Sequence, residues 1–204
     1  VIEERTAVSD VFRKFRETTP LVHCITNYVA MNISANVLLA AGGSPAMIHA
    51  PEETADFARI ASALTINIGT LSPPWVEGMK KAITAARNAD VPWVFDPVGH
   101  FATPYRAAVA QDILKMGPTI LRGNASEIMA LAGQSSEAKG VDSSDPVGDA
   151  EAAALSLATA HKSVVVITGE TDFVTDGNRI ARVKGGSHLM PQITAMGCSL
   201  TCLM

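Results

Sequence analysis

LTINIGTLSPPWVEGMKKAITAARNADVPWVFDPVG, residues 64–99, is the stretch that decides the fold. An apolar run over 64–68 gives way to Gly69 and Thr70, a segment of helical character follows over 76–88, and a second short apolar run over 94–95 ends in Asp96 and Pro97. Strand, helix, strand is the order of a βα unit feeding a parallel sheet. The same alternation recurs on both sides. Residues 22–25 precede a helix over 31–41, and 45–48 precede a helix capped near 51–53. Residues 119–121 end in Arg122, Gly123 and Asn124, and 163–167 end in Thr168 and Gly169. The expected class is α/β, with a mainly parallel central sheet and helices on both faces. Asp176, Gly177 and Asn178, set between runs at 173–175 and 179–183, make a hairpin signal that adds an antiparallel edge. The Ser-, Asp- and Gly-rich stretch 135–149 reads as a mobile surface loop before an Ala-rich helix over 150–160.

With 204 residues, 48% apolar and 18% charged, the chain fits one domain, 1–204, with a sizeable core, and a disordered or fibrous class is excluded. Its mean hydropathy of +0.22 points to wide buried surfaces, a subunit interface among them. No apolar run approaches the roughly 18 residues of a membrane span, so no membrane partner is expected. A net charge of −4 offers no positive field for a phosphate backbone, which speaks against nucleic acid. Cys24, Cys198 and Cys202 are an odd, sparse set, a poor disulfide framework that suits a reducing cytoplasm.

Where each apolar run ends, the residues turn small or polar in five places: around Met47, at Asn67–Thr70, at Asp96–Gly99, at Arg122–Asn124 and at Thr168–Glu170. In an open α/β sheet, ligands bind beyond the carboxyl ends of the strands. Any one of these loops also reads as a plain turn, and five in register point to one site. There is no G-x-x-x-x-G-K-[ST], no G-x-G-x-x-G and no H-E-x-x-H, and Cys198 and Cys202 lack His or Cys neighbours in sequence for a structural metal site. Thr194, Ala195, Met196, Gly197, Cys198 and Ser199 open a helix with small residues, whose N–H groups stabilise an anion and would lower the pKa of a thiol placed there. A packing role for Gly197 and a core thiol at Cys198 are the alternative. Asp96 and Glu127 could hold a hydrated Mg²⁺, with Arg122 serving the same phosphates. An Arg122–Glu127 pair, with Asp96 capping the turn before Pro97, is equally open on spacing.

The strings PLVHCITN (20–27), GGSPAMI (42–48), INIGTL (66–71), FDPVG (95–99), LRGNASEIMAL (121–131), KGVDS (139–143), VVITGETDFVTDG (165–177) and TAMGCSLT (194–201) closely resemble the hydroxyethylthiazole kinase family of ribokinase-like fold. The most specific marks are RGN-x-x-E and a Cys where most ribokinase-like kinases keep Asp in G-x-G-D. The resemblance implies transfer of phosphate from ATP to the hydroxyl of 4-methyl-5-(2-hydroxyethyl)thiazole with Mg²⁺, in thiamine salvage. It also implies a homotrimer with substrate sites at subunit interfaces. It further implies that Met47, Asn27, Gly69, Ala195 and Gly197 bind substrate, that Arg122, Asn124 and Thr168 contact ATP, that Asp96 and Glu127 serve the metal, and that Cys198 occupies the catalytic-base position. This chain differs in having Ala195 where the family usually has Gly, and Pro191-Gln192 where Thr-Lys is common before a strand entering that turn. Its end at Met204 implies that the family's C-terminal helices are lacking. The alternatives are a kinase of a hydroxymethylpyrimidine-type alcohol, whose relatives normally carry Asp at the Cys198 position, and a non-catalytic thiazole-binding module.

Overall fold

The structure, a computed structural model, describes residues 2–135 and 146–204. In chain order it forms α1 (Ile2–Thr18), β1 (Leu21–Ile25), α2 (Met31–Ala41), β2 (Ser44–Ala46), α3 (Thr54–Ile60), β3 (Ala63–Asn67), α4 (Pro73–Asn88), β4 (Trp93–Asp96), α5 (Pro104–Leu114), β5 (Ile120–Asn124), α6 (Ala125–Ser135), α7 (Pro146–His161), β6 (Val164–Thr168), β7 (Thr171–Thr175), β8 (Ile180–Lys184) and α8 (Met196–Leu203). The strands make one sheet in the order β2-β1-β3-β4-β5-β6-β7-β8. The first six are parallel, and β7 and β8 add the antiparallel hairpin.

Alternation along the strands divides the core between the two faces. Ile25, Leu64, Ile66, Phe95 and Leu121 pack with residues of α3 to α7. The intervening Val22 and Cys24 meet Leu38 of α2 and Cys202 of α8, with Phe15 of α1 against them. Helix starts follow local chemistry: Ser72 before Pro73 accepts from the Trp75 N–H at 3.4 Å, and Thr103 before Pro104 accepts from the Arg106 N–H at 3.2 Å.

Some expectations need correcting. The strand anticipated over 45–48 ends at Ala46, leaving Met47 beyond it, because β2 is an edge strand that carries Pro45. Strand β5 runs on through Arg122, Gly123 and Asn124, pairing with β6 as far as Asn124↔Thr168, so this triplet is strand and not loop. Of the loop anticipated over 135–149, Ser135 and 146–149 are helical, whereas 136–145, with the whole KGVDS motif, lie outside the described residues. No strand enters the Ala195 turn, which follows a short 3-10 turn over Met190–Gln192 with Pro191 near its start. Helix α1 was not anticipated, although Val8, Val11, Phe12 and Phe15 follow helical spacing.

Candidate active site

Sequence neighbours β1 and β2 lie on one side of the sheet while β3 continues on the other, so the strand order reverses at β1. Beyond the carboxyl ends of adjacent strands a crevice opens at such a point. Asn27 lies just past β1, Asn67 ends β3 and Asp96 ends β4, with Asn67 in register beside Asp96. The start of α8 closes over these ends and brings Cys198 to them.

Two buried carboxamides fix the sulfur. The Ala30 N–H donates to Asn27 Oδ1 at 3.0 Å and the Gly69 N–H donates to Asn67 Oδ1 at 2.9 Å. Main-chain N–H groups can only donate, so both Nδ2 groups must face the other way. Asn27 Nδ2 donates to Cys198 Sγ at 3.3 Å and to Asn67 Oδ1 at 2.9 Å. Asn67 Nδ2 donates to Cys198 Sγ at 3.2 Å and to Asp96 Oδ2 at 2.9 Å. Gly69 must be glycine, because a Cβ there would sit 2.6 Å from Asn27 Nδ2.

Asp96 is fully buried and unevenly served. Its Oδ2 accepts from Asn67, from Thr201 Oγ1 at 2.8 Å and from Arg122 Nη1 at 3.5 Å, while Oδ1 has no partner among the described residues. Burial pushes its carboxyl up to about 6, held back by Arg122 and Thr201 and raised further by the nearby Glu127. The Cys198 thiol is also pushed up, chiefly by burial and then by the Asp96 charge, against the two carboxamides and Arg122. This reverses the lowered thiol expected from a helix start, because dehydration and a neighbouring carboxylate outweigh the local dipole.

Arg122 turns from Glu127 to Asp96 and to Thr168, whose Oγ1 accepts from Nη2 at 2.6 Å. Glu127 is buried and satisfied by main chain instead: Oε1 accepts from the Gly99 N–H at 3.0 Å and Oε2 from the Asn124 N–H at 2.9 Å. Asn124 Oδ1 accepts from the Glu127 N–H at 2.9 Å, which completes a reciprocal cap on α6. The Arg122–Glu127 pair and the Asp96 cap are therefore absent among the described residues.

A cavity of about 410 Å³ lies where Arg122, Thr168 and Gly169 face Met190, Gly197 and Leu200. Gly197 is the contact point: a Cβ there would meet Arg122 Nη1 at 2.7 Å. Ala195 precedes α8 with φ +60 and ψ 15, and no side chain among the described residues caps this helix. Of the residues expected from sequence, Asn27, Gly69, Asp96, Arg122, Thr168, Gly197 and Cys198 come together in one network or along its cavity. Met47 lies just past β2 and packs its side chain against the core of the α2–α8 face, which leaves only its backbone for a substrate contact. Thr201 and Arg106 were not anticipated as site residues, and Asn67 was expected at the site only as part of the polar strand end Asn67–Thr70, with no role of its own. Asn67 had a signal in its place at a strand end, and Thr201 lies one helical turn after Gly197.

Two carboxylates, one with a bare oxygen, suit a Mg²⁺ ion that keeps waters and takes phosphate oxygens. Among the described residues no cluster of three or more His, Cys, Asp or Glu forms a closed metal cage. No helix among them is long and apolar enough to cross a membrane.

The model of the hydroxyethylthiazole kinase family matches residues 12–204. A hydroxyethylthiazole kinase of Rhizobium etli (strain CIAT 652) is 63% identical over 189 residues, covering 93% of this chain and 73% of that protein. The solved hydroxyethylthiazole kinase protein of Pyrococcus horikoshii OT3 is 40% identical, with a TM-score of 0.86 over 95% of this chain and 73% of that one. A ribokinase-like superfamily protein of Enterococcus faecalis V583 shares the fold at 12% identity, with a TM-score of 0.58 over 90% of this chain and 68% of that one. A ribokinase-like α/β sheet, its polar strand ends and these matches lead to one statement: the chain belongs to the hydroxyethylthiazole kinase family.

Proposed function

We propose that the protein transfers the γ-phosphoryl group of ATP to the primary hydroxyl of 4-methyl-5-(2-hydroxyethyl)thiazole, giving the thiazole phosphate and ADP, within one ribokinase-like domain. The observation that carries this reading is the convergence of Asn27, Asn67, Asp96 and Arg122 on the start of α8, beside the cavity lined by Thr168. The alcohol oxygen forms the new bond to phosphorus as the bond to ADP breaks, and the hydroxyl proton is released through the transferred phosphoryl oxygens to water, so in-line placement and charge neutralisation provide most of the catalysis. Arg122 supplies a planar cation where the phosphoryl oxygens gather charge. The uncapped N–H groups opening α8, with Ala195 and Gly197, face the same charge. Asn27 and Gly69 border the alcohol side together with Met47, and Thr168 and Asn124 the nucleotide side. Asp96 and Glu127 would hold Mg²⁺, which would supply charge neutralisation for the phosphates.

Cys198 receives two amide N–H groups, yet burial and the Asp96 charge hold it as a thiol. Its role is to position the hydroxyl, and proton removal by a thiolate is minor. A cytoplasmic location fits its three free cysteines. A homotrimer with sites at subunit interfaces fits the exposed Tyr28 and Val29, which follow Asn27 directly in the chain.

The test supplies the full-length protein with ATP, Mg²⁺ and either the thiazole alcohol or a hydroxymethylpyrimidine, and follows ADP and the phosphorylated product. Turnover of the thiazole is expected. Turnover of the pyrimidine alone would move the substrate class, and calorimetric binding of thiazole without nucleotide would make the protein a binding module.

A further inference from the structure

Arg106 is the residue whose placement the reading above does not use. It stands in the first turn of α5, just after Thr103 and Pro104, at the positive end of a helix. A cation there is disfavoured by the helix dipole, and burial lowers the guanidinium's pKa further. Among the described residues it makes no ion pair with a carboxylate. A charge kept against both effects is a local rule broken for a reason.

The reason lies in its hydrogen bonds. Nε donates to Gly99 O at 3.0 Å, Nη1 to Gly69 O at 3.4 Å, and Nη2 to Ile68 O at 2.6 Å and also to Val98 O. Four main-chain oxygens are thus gathered from two loops, the one that leaves β3 and the one that leaves β4. The first loop presents the Gly69 N–H to Asn67, the carboxamide that holds Cys198. The second presents the Gly99 N–H to Glu127. The residue Gly99 is therefore held on both sides, its N–H by Glu127 and its carbonyl by Arg106, in a left-handed conformation with φ +55. Only a planar fork with donors in several directions spans both loops at once, and a lysine ammonium, a compact point charge, does not.

We propose that Arg106 is a positioning residue for phosphoryl transfer. Its guanidinium locks the loop on the alcohol side to the loop on the metal and phosphate side, and so fixes the separation between acceptor and donor. This rests on the kinase reading above. A displacement of about 1 Å between reacting groups is enough to cost about a hundredfold in rate. Because neither loop need lose its own ligand contacts, the effect falls on kcat and not on KM.

The test compares the full-length protein with Arg106→Lys and Arg106→Ala. Both variants are expected to lose at least tenfold in kcat, with KM for the thiazole alcohol and for ATP changed less than threefold. Guanidinium ion at low millimolar concentration, far below denaturing levels, is expected to restore part of the Arg106→Ala rate and none of the Arg106→Lys rate. Hydrogen exchange reads the lock without turnover: amides at 68–71 and 97–100 should exchange faster in both variants, while the strands β3 and β4 stay protected. A kcat within twofold of the unaltered protein in Arg106→Lys, or unchanged exchange in both loops, overturns the proposal. So does a loss that follows thermal stability alone and resists guanidinium. If the unaltered protein phosphorylates no thiazole, the kinase reading fails, and the exchange comparison still decides whether Arg106 ties the loops.

Discussion

Two helices begin at the rim of the same crevice, and they begin in opposite ways. The start of α6 is closed by its own residues: Asn124 and Glu127 cap each other, and both Glu127 oxygens accept main-chain N–H groups. The start of α8 is open. It has no side-chain cap among the described residues, no acidic residue in its first turn, a left-handed Ala195 and a guanidinium pressed against Gly197. A positive helix end beside a second positive charge, with a cavity at hand, is an arrangement completed by an anion from outside. The contrast extends to the carboxylates behind the two starts, since Glu127 is partnered at both oxygens whereas Asp96 keeps a bare buried oxygen. The closed end ties each Glu127 oxygen to one main-chain donor and leaves it lone pairs for a hydrated metal, and the open end leaves Asp96 Oδ1 and the N–H groups of α8 to the ligand.

Neutralising each carboxylate in turn gives the largest expected difference. Asp96→Asn should abolish turnover, by about a thousandfold or more, if Asp96 serves the phosphates and their metal. It should also stabilise the protein at pH 8. The Asp96 carboxyl stands near 6 in the folded chain against an ordinary 3.8, so the folded state holds the proton more tightly than the unfolded one. Stability from this group is present in full below pH 4 and is lost as pH rises through 6, by about 3 kcal/mol at most. Part of the gain is offset by the lost partner of Arg122, which leaves about 1–2 kcal/mol in favour of Asn at pH 8 and almost none at pH 4. Glu127→Gln should go the other way, losing about 1–3 kcal/mol, because an amide NH₂ would face a main-chain N–H. Denaturant melts of both variants at the two pH values check the signs. Destabilisation by both at pH 8 would erase the distinction between a partnered and a bare carboxylate.

A smaller effect is expected at Cys198. Its thiol is held by two amide donors and pushed up by burial and Asp96, so little thiolate forms near neutrality. Cys198→Ala should therefore lower kcat less than about tenfold, a small part of the 10²–10⁴ that a working general base contributes. The wild-type rate should show no rise through the ordinary thiol range near 8.5. A hundredfold loss in the Ala variant, together with such a rise, would restore the thiolate as base and make the open helix end secondary.

The sign of that thiol shift shows what a sequence conceals. Its small residues at 194–199 announce a helix start, and the dipole argument follows at once. The opposing effects come from Asp96, on a distant strand, and from burial that only the closed sheet produces, and they prevail even against the amide donors of Asn27 and Asn67. The parallel sheet was legible because each strand carries its own signal, a short apolar run ending in a polar residue. Helix α1 was passed over because Glu3, Glu4, Arg5 and other charges mask an apolar stripe that needs Val8, Val11, Phe12 and Phe15 read together. Asn67 read as a turn residue, since its four partners lie on three other segments and on Gly69. Arg106 did leave a mark, a cation in the first turn of a helix, which local rules disfavour.

The smallest expected effect tests the open end most directly. Ala195 holds φ +60, where an L residue loses about 1–2 kcal/mol to contact between Cβ and the following carbonyl. Glycine removes that strain and adds freedom to the unfolded chain, about 0.5–1 kcal/mol the other way. Ala195→Gly should therefore stabilise the protein by roughly 0.5–1 kcal/mol, a rise in Tm of about 1–4 °C for a chain of this size. If strain at Ala195 serves only to aim the N–H groups of α8, the glycine variant keeps KM for ATP within twofold, because Gly197 and Arg122 still set the approach. A lower Tm would mean that the left-handed turn is held by something other than the contacts described, and a KM raised tenfold would mean that the methyl group of Ala195 itself shapes the anion site.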